Sequence, residues 1–255
     1  MLNFLPPDVT IDLLLPIACV GLVAGLVKGI VGFAMPMMWI TGLTFFVSPD
    51  LALALLILPT AVTNIWQSLR EGMGAAAQSL WDHKRFIMTA FVVLLCTTQI
   101  VPYLSIDLFF LILGILIVLF AVILLLGWQP SARQTGPLHT ILALISGFAG
   151  GIAGILGPPT VAYLNTLNIK KLEFMRVQGI IYGLGAVLLV VGHGASGILT
   201  PGRLALSLFT LPTALLGIWI GFQIQHHINQ RTFKMATLIV LLLSGANLVR
   251  RGIMG

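Results

Sequence analysis

Apolar residues run almost without interruption through this chain, and polar residues are confined to short breaks between the runs. The runs fall at 11–28, 34–47, 51–69, 86–104, 108–127, 138–153, 159–168, 174–192, 203–222 and 234–249. Strands of a membrane barrel would alternate apolar and polar residues over about 10 positions; these runs do not alternate, so they predict helices. Two glycine-rich, proline-terminated stretches punctuate them. Residues 21–36 read GLVAGLVKGIVGFAMP, with Gly21, Gly25, Gly29 and Gly32 closed by Pro36, and residues 147–159 read GFAGGIAGILGPP, with Gly147, Gly151, Gly154 and Gly157 closed by Pro158 and Pro159. Each stretch opens one half of the chain. Residues 1–128 are expected to form a first transmembrane repeat, 129–136 a polar linker containing Pro130, Ser131, Arg133 and Gln134, and 137–255 a second repeat.

In each half, two short segments joined by the Gly/Pro break precede three longer ones. The short ones, 159–168 above all, fall below the ~20 apolar residues that cross a bilayer. Each pair is therefore expected to form a helical hairpin that enters the membrane and returns. A helix broken inside a bilayer exposes backbone N–H and C=O groups, which is tolerated only where protein or a water-filled cavity satisfies them. Two such breaks suggest one binding site, at the interface of two repeats near the midplane.

Charge placement tests the hairpin. If each Gly/Pro element crossed once, giving eight spans, Arg70, Lys84, Arg85, Arg133, Arg203, Arg250 and Arg251 would share one side against Lys170, Lys171, Arg231 and Lys234. If each returned to its own side, Arg70, Lys84, Arg85, Arg133, Lys170, Lys171, Arg231 and Lys234 would fall together against Arg203, Arg250 and Arg251. The second arrangement separates charge better and makes the Lys/Arg-rich side cytoplasmic, although Arg250 and Arg251 fit it poorly. It leaves both termini outside, and an odd number of segments per half gives the halves opposite orientation. The expected fold is an all-α integral membrane protein of about ten membrane segments in two five-segment inverted repeats.

Composition agrees: 58% of the 255 residues are hydrophobic and 8% charged, against about 25% charged in soluble domains. The net charge of +6 reflects cations between apolar runs, so it points to membrane orientation and not to nucleic acid. Residues 1–16 carry no Lys or Arg, so a cleavable signal peptide is not expected. Cys19 and Cys96 lie in apolar runs without a CxxC spacing and read as packing residues. Trp66, Trp81, Tyr103 and Trp128, near segment ends, suit the interfacial belt.

Lys28 is the most informative side chain, because an ionisable group deep in an apolar run is costly and marks a functional site by default. Snorkelling, or capping of a broken-helix carbonyl, is its structural alternative. Arg176, a turn or so into its segment, suits bidentate anion binding or simple snorkelling. Gln178 and Tyr182 add polar groups nearby without sharing its face. Thr60, Asn64, Gln67 and Glu71 form a stripe on one helix face, which reads equally as site lining and as interhelical hydrogen bonding. In the favoured topology the stripe and Arg176 both lie in the cytoplasmic half, where an inward-opening cavity would join them. The glycines likewise suit either a site or close helix packing. Helix N-termini aimed inward would favour an anion.

All seven acidic residues, Asp8, Asp12, Asp50, Glu71, Asp82, Asp107 and Glu173, lie in loops or near segment ends, which argues against a cation pump and for an anionic substrate. Lys28, Tyr163 or the substrate itself is left as a proton carrier. His193 follows a long segment and is expected to be solvated. Neither HExxH, GxSxG nor GxxxxGK[ST] occurs, so no enzyme, metal site or cofactor is expected, and Asn-x-Ser/Thr sites are absent.

In its two Gly/Pro segments, each opening one half of a chain of this length, the sequence resembles the sulfite exporter TauE/SafE family of bacterial-type permeases. Against that family's GxGG-like pattern it has Gly29, Ile30, Val31, Gly32 in the first copy and Gly154, Ile155, Leu156, Gly157 in the second, with one glycine replaced in each. The resemblance implies transport of small sulfur-containing anions such as sulfite, sulfonates or sulfoacetate across the cytoplasmic (bacterial inner) membrane, often outward. The expected substrate-binding set is Lys28, Gly29, Gly32, Pro36, Asn64, Gln67, Gly154, Gly157, Pro158, Pro159, Arg176 and Gln178. Only the Gly/Pro segments come from the resemblance; Lys28, Arg176, Asn64, Gln67 and Gln178 rest on the physical argument. The expected mechanism is alternating access. An anion channel and a small-carboxylate transporter are the alternatives, and an intramembrane enzyme or a non-transporting assembly partner finds no nucleophile, base or metal constellation to support it. Expected partners are the small anion and the lipid bilayer, with a coupling ion (proton or sodium) and a homo-oligomer left open.

Overall fold

The computed structural model describes residues 9–31, 34–69, 71–127, 136–167, 169–224, 227 and 229–254; Gly32, Arg70, Trp128 and the linker residues 129–135 lie outside them. Every regular element among the described residues is helical. The α-helices are α1 (Leu14–Val31), α2 (Met35–Leu43), α3 (Pro49–Leu69), α4 (Met73–Asp82), α5 (Lys84–Thr98), α6 (Ile106–Leu125), α7 (Gly136–Ala153), α8 (Gly157–Thr166), α9 (Lys171–Ala195), α10 (Pro201–Ile224) and α11 (Gln230–Met254). Each of the ten apolar runs corresponds to one helix, and α4 is an addition. Ser79 is its one buried residue, so no long apolar run announces it.

Among the described residues eight helices, namely α1, α3, α5, α6, α7, α9, α10 and α11, are long and apolar enough to cross a membrane. The chain is an integral membrane protein. With nine and ten residues, α2 and α8 rise only about 15 Å, half the hydrocarbon thickness. The hairpins α1–α2 and α7–α8 have the same plan. Each opens with an 18-residue helix, and the starts Leu14, Met35 and Pro49 precede the starts Gly136, Gly157 and Lys171 by one constant interval. This interval sets Gly25 against Gly147, Gly29 against Gly151 and Pro36 against Pro158. The sequence comparison had placed Gly29–Gly32 against Gly154–Gly157, one turn away.

The chain forms two compact units, neither of them a continuous half: Met1–Pro59 with Tyr103–Leu126 and Gly197–Gly255, and Thr60–Pro102 with Gly127–Ser196. In the first unit α1 packs on α10 and α6 on α11. A Cβ on Gly25 would strike the carbonyl of Ala214, and one on Gly29 would meet Ile218 and Gly221. The space beside Gly25 and Gly29 is thus filled by helix backbone, the packing use of small residues. Because Gly25 and Gly29 meet Ala214 and Gly221 in ascending order, α1 and α10 run parallel. Gly252 meets Asp107 and Leu111 whereas Gly245 meets Ile117 and Val118, so α6 and α11 run antiparallel.

Pro59, inside α3, has no N–H to offer the carbonyl of Leu55. The Ser207 hydroxyl of α10 donates to that carbonyl at 3.0 Å and accepts from the Leu58 N–H at 3.4 Å. In the same unit, Arg251 Nη1 donates to the carbonyl of Thr44, at the end of α2, at 2.9 Å, with its guanidinium 4.1 Å from the centre of the Phe110 ring. One of the two arginines that fitted the charge count poorly is therefore a cap for α2 rather than a loop charge.

In the second unit α7 packs on α5 as α1 does on α10. Gly147 faces Ala90, and Gly151 faces Leu94 and Thr97, again in parallel. The last part of α3 lies antiparallel to α9, with Gly179 against Ser68 and Gly183 against Ile65.

Candidate functional site

Lys28, Gly29 and Pro36 belong to the first unit, and Asn64, Gln67, Gly154, Gly157, Pro158, Pro159, Arg176 and Gln178 to the second. Gly32 lies outside the described residues.

In the first hairpin Lys28 occupies the last turn of α1 and is 7% exposed. Its ammonium is thus carried deep in an apolar span, where it forms part of the unit's interior. The break that follows is made by Ala34, whose φ of 73° is left-handed, a strained conformation for a residue with a side chain. Pro36 stands at the second position of α2, where a missing N–H costs nothing because first-turn donors have no intrahelical acceptor. Of the first three positions of α2, Met35 and Met37 keep an N–H. Trp39 Nε1 and Thr41 Oγ1, on the same short helix, are buried without a hydrogen-bond partner among the described residues. Sequence reading missed both, since Trp39 and Thr41 sit in an apolar run.

The second hairpin is tied up by its own side chains. Gly154 supplies the turn with φ 68° and donates its N–H to Gly150 at 2.8 Å. Pro158 and Pro159 remove two of the first three backbone donors of α8, leaving only Gly157. The Leu156 carbonyl at the break accepts from Ser146 at 3.1 Å and Thr160 at 2.8 Å, and these two hydroxyls lie 3.0 Å apart. Tyr182 donates to the Gly157 carbonyl at 3.0 Å, and Gln178 Nε2 donates to the Tyr182 oxygen at 3.2 Å. Gln178 therefore reaches the break through Tyr182. The i, i+4 spacing of these two residues is the signal that could have placed Tyr182 in the candidate set.

The polar stripe meets the first turns of α9. Gln67 Nε2 donates to the Met175 carbonyl at 2.8 Å, and Arg176 pairs with Glu71 at 2.6 Å while its Nε donates to Ser79 at 2.9 Å. Asn64 is buried and its amide donates to the Thr60 carbonyl at 2.8 Å. Thr60 Oγ1 is buried without a partner among the described residues. Interhelical bonding thus accounts for Gln67 and for an ion pair at Arg176. His193, expected to be solvated, is 0% exposed, because α9 runs on through it to Ala195.

A second polar cluster escaped the sequence reading. His83 Nδ1 lies 2.8 Å from the Tyr163 hydroxyl, and His139 Nε2 lies 2.7 Å from the Thr166 hydroxyl. Phe86 stacks on Tyr163 with ring centres 3.9 Å apart. Residues 83, 139 and 163 share no spacing that a single sequence exhibits.

Two proline-headed short helices after glycine-packed spans, with a lysine buried in one span, belong to a polytopic helical membrane protein. The chain belongs to the sulfite exporter TauE/SafE family, whose family model matches residues 17–248. No curated protein and no solved structure matches the chain significantly.

Proposed function

We propose that this protein carries a small sulfur-containing oxyanion or organosulfonate, such as sulfite or sulfoacetate, outward across the cytoplasmic membrane by alternating access. The observation that carries the reading is the family match over residues 17–248. The anion's charge is met at the first break, by Lys28 and the first-turn N–H groups of α2, where a helix N-terminus favours negative charge.

The helix directions support two inverted repeats. If α2 and α8 each run back toward the side their hairpin entered from, ten segments alternate in direction, α1 runs with α10 and α5 with α7, and α3 opposes α9 and α6 opposes α11. All four pairs have those directions. Eight alternating spans would instead make α3 parallel to α9 and α6 parallel to α11. An even number of segments returns both termini to one side, which the charge count makes the outside.

Counterflow in proteoliposomes tests the transport. Labelled sulfite should enter faster when unlabelled sulfite or sulfoacetate is trapped inside, as a carrier requires. Uptake without trans-stimulation would indicate a pore, and no uptake of any sulfur oxyanion would remove the substrate class.

A further inference from the structure

The short helices α2 and α8 end alike but are held differently. Thr44 donates to the Thr41 carbonyl at 3.1 Å, and Thr166, which holds the same place in the second hairpin, donates to the Tyr163 carbonyl at 2.6 Å. What clamps the first is Arg251, a cation at every physiological pH. What clamps the second is a pair of imidazoles. His139 bonds Thr166, and His83 bonds Tyr163 one turn earlier. Both imidazoles stand edge-on to the Tyr163 ring, with centroids 5.8 Å and 4.8 Å away.

Proton placement follows from the partners. The one hydroxyl proton of Thr166 goes to the Tyr163 carbonyl, so His139 Nε2 carries the proton in its bond to Thr166. His83 is 8% exposed, and its Nε2 is buried without a partner among the described residues. The charged groups acting on His83 are Asp82 from α4, Glu173 from α9 and His139 from α7. Lys84, the cation next in sequence, is held 3.4 Å over the Trp81 ring. Tyr163 faces it from α8.

We propose that His83, Tyr163 and His139 form a proton-binding site that latches the second hairpin and exchanges a proton during the transport cycle. The proposal rests on the transporter reading and names its coupling ion. In the neutral state the Tyr163 hydroxyl donates to His83 Nδ1. A proton taken from water turns the bond round: Nδ1–H donates to the tyrosine oxygen, the hydroxyl proton rotates away from Nδ1, and the new charge faces Asp82 and Glu173. His139, half-buried, connects the cluster to solvent. The hairpin is thus held by a bond whose sense depends on protonation, where its counterpart is held by a fixed charge.

Two measurements test this separately. Histidine-labelled protein in detergent, followed by NMR from pH 4.5 to 7.5, should show a His83 signal, identified by its loss in His83→Gln. Its midpoint should move by about half a pH unit or more in both His139→Gln and Tyr163→Phe. A His83 signal that does not titrate, or that titrates identically in all three proteins, overturns the site. In proteoliposomes, a pH gradient should drive net flux of labelled sulfite. In His83→Gln the ratio of this net flux to sulfite counterflow should fall about tenfold. An unchanged ratio overturns the coupling role. Absence of counterflow in the unsubstituted protein overturns the transporter reading, and with it the coupling role, while the NMR result still decides whether the proton site exists.

Discussion

The two hairpins share a plan and differ in what fills it. Both opening helices lie in parallel against a long helix through glycines at the same places, Gly25 and Gly29 in one, Gly147 and Gly151 in the other. Their fifteenth residues diverge: Lys28 in α1 corresponds to Gly150 in α7, where a Cβ would already meet the side chains of Leu156 and Leu94. The first hairpin thus keeps a buried cation and two first-turn N–H groups, and the second has apolar packing in the cation's place and hydroxyl groups bonded within the chain. Repetition fixes how the hairpins pack, and departures from repetition leave one of them with the buried cation to which the proposed function assigns the anion.

The shared part breaks with the largest effect. In Gly25→Leu and Gly147→Leu even the first side-chain carbon would overlap a neighbouring carbonyl, of Ala214 and Ala90 respectively. Overpacking costs about 1–3 kcal/mol where side chains can yield, and more where the obstacle is backbone. Both variants should lose most of their monodisperse yield, whereas Gly74→Leu, with open space around it, should behave normally. A well-folded Gly25→Leu would show that the glycines serve something other than packing.

The unshared part comes next. Lys28→Ala should lower sulfite counterflow by about a hundredfold or more while the protein stays folded, since removing one buried charged partner costs about 2–5 kcal/mol. Gly150→Ala should affect stability more than flux. Counterflow at the unsubstituted level in a folded Lys28→Ala protein would move the anion's charge elsewhere.

How much of this could be read from sequence varied with the range of the interaction. Local features were legible: the runs, the Gly/Pro breaks, the depth of Lys28, and the stripe whose Gln67 and Glu71 reach α9. Which helix fills a glycine was not, because α1 packs on α10, some 190 residues further along the chain by its starting positions. The register between the hairpins was misjudged by one turn because both motifs repeat glycine at helical spacing, so a shift of one turn matches nearly as well. Helix bounds settle it. Pro158 and Pro159 were visible as a stop, but that they strip donors from α8 depends on its start at Gly157. The meeting of His83, His139 and Tyr163 depends on three helices packing together, and no spacing encodes it.

Smaller effects probe the supports around each hairpin. Ser207→Ala should cost about 1 kcal/mol, the net worth of a hydrogen bond, because the Leu55 carbonyl then loses its donor. Pro59→Ala restores an N–H to that carbonyl, so the double variant should lose less than the single changes added together, a coupling read from denaturation midpoints. Strict additivity would mean that Ser207 does not serve the proline break. Arg251→Gln should likewise loosen the end of α2 by about 1 kcal/mol, with no dependence on pH between 5 and 8.

The smallest effect separates the two clamps by pH. Burial lowers the pKa of His83 below its ordinary 6.5, against the opposing pull of Asp82 and Glu173. As pH falls below about 6.5, the unfolded chain takes up a proton at this residue while the folded chain does not, so native stability declines until the folded-state pKa is passed. Above about 6.5 both states are neutral at this residue and its contribution is flat. Thermal unfolding of the detergent-solubilised protein should therefore lose stability on acidification through this window. In His83→Gln the slope should be shallower, and in Arg251→Gln it should match that of the unsubstituted protein, since guanidinium does not titrate there. If His83→Gln and the unsubstituted protein gave parallel profiles, the histidine clamp would be no more sensitive to protons than the arginine clamp, and the difference drawn between the two hairpin ends would fail.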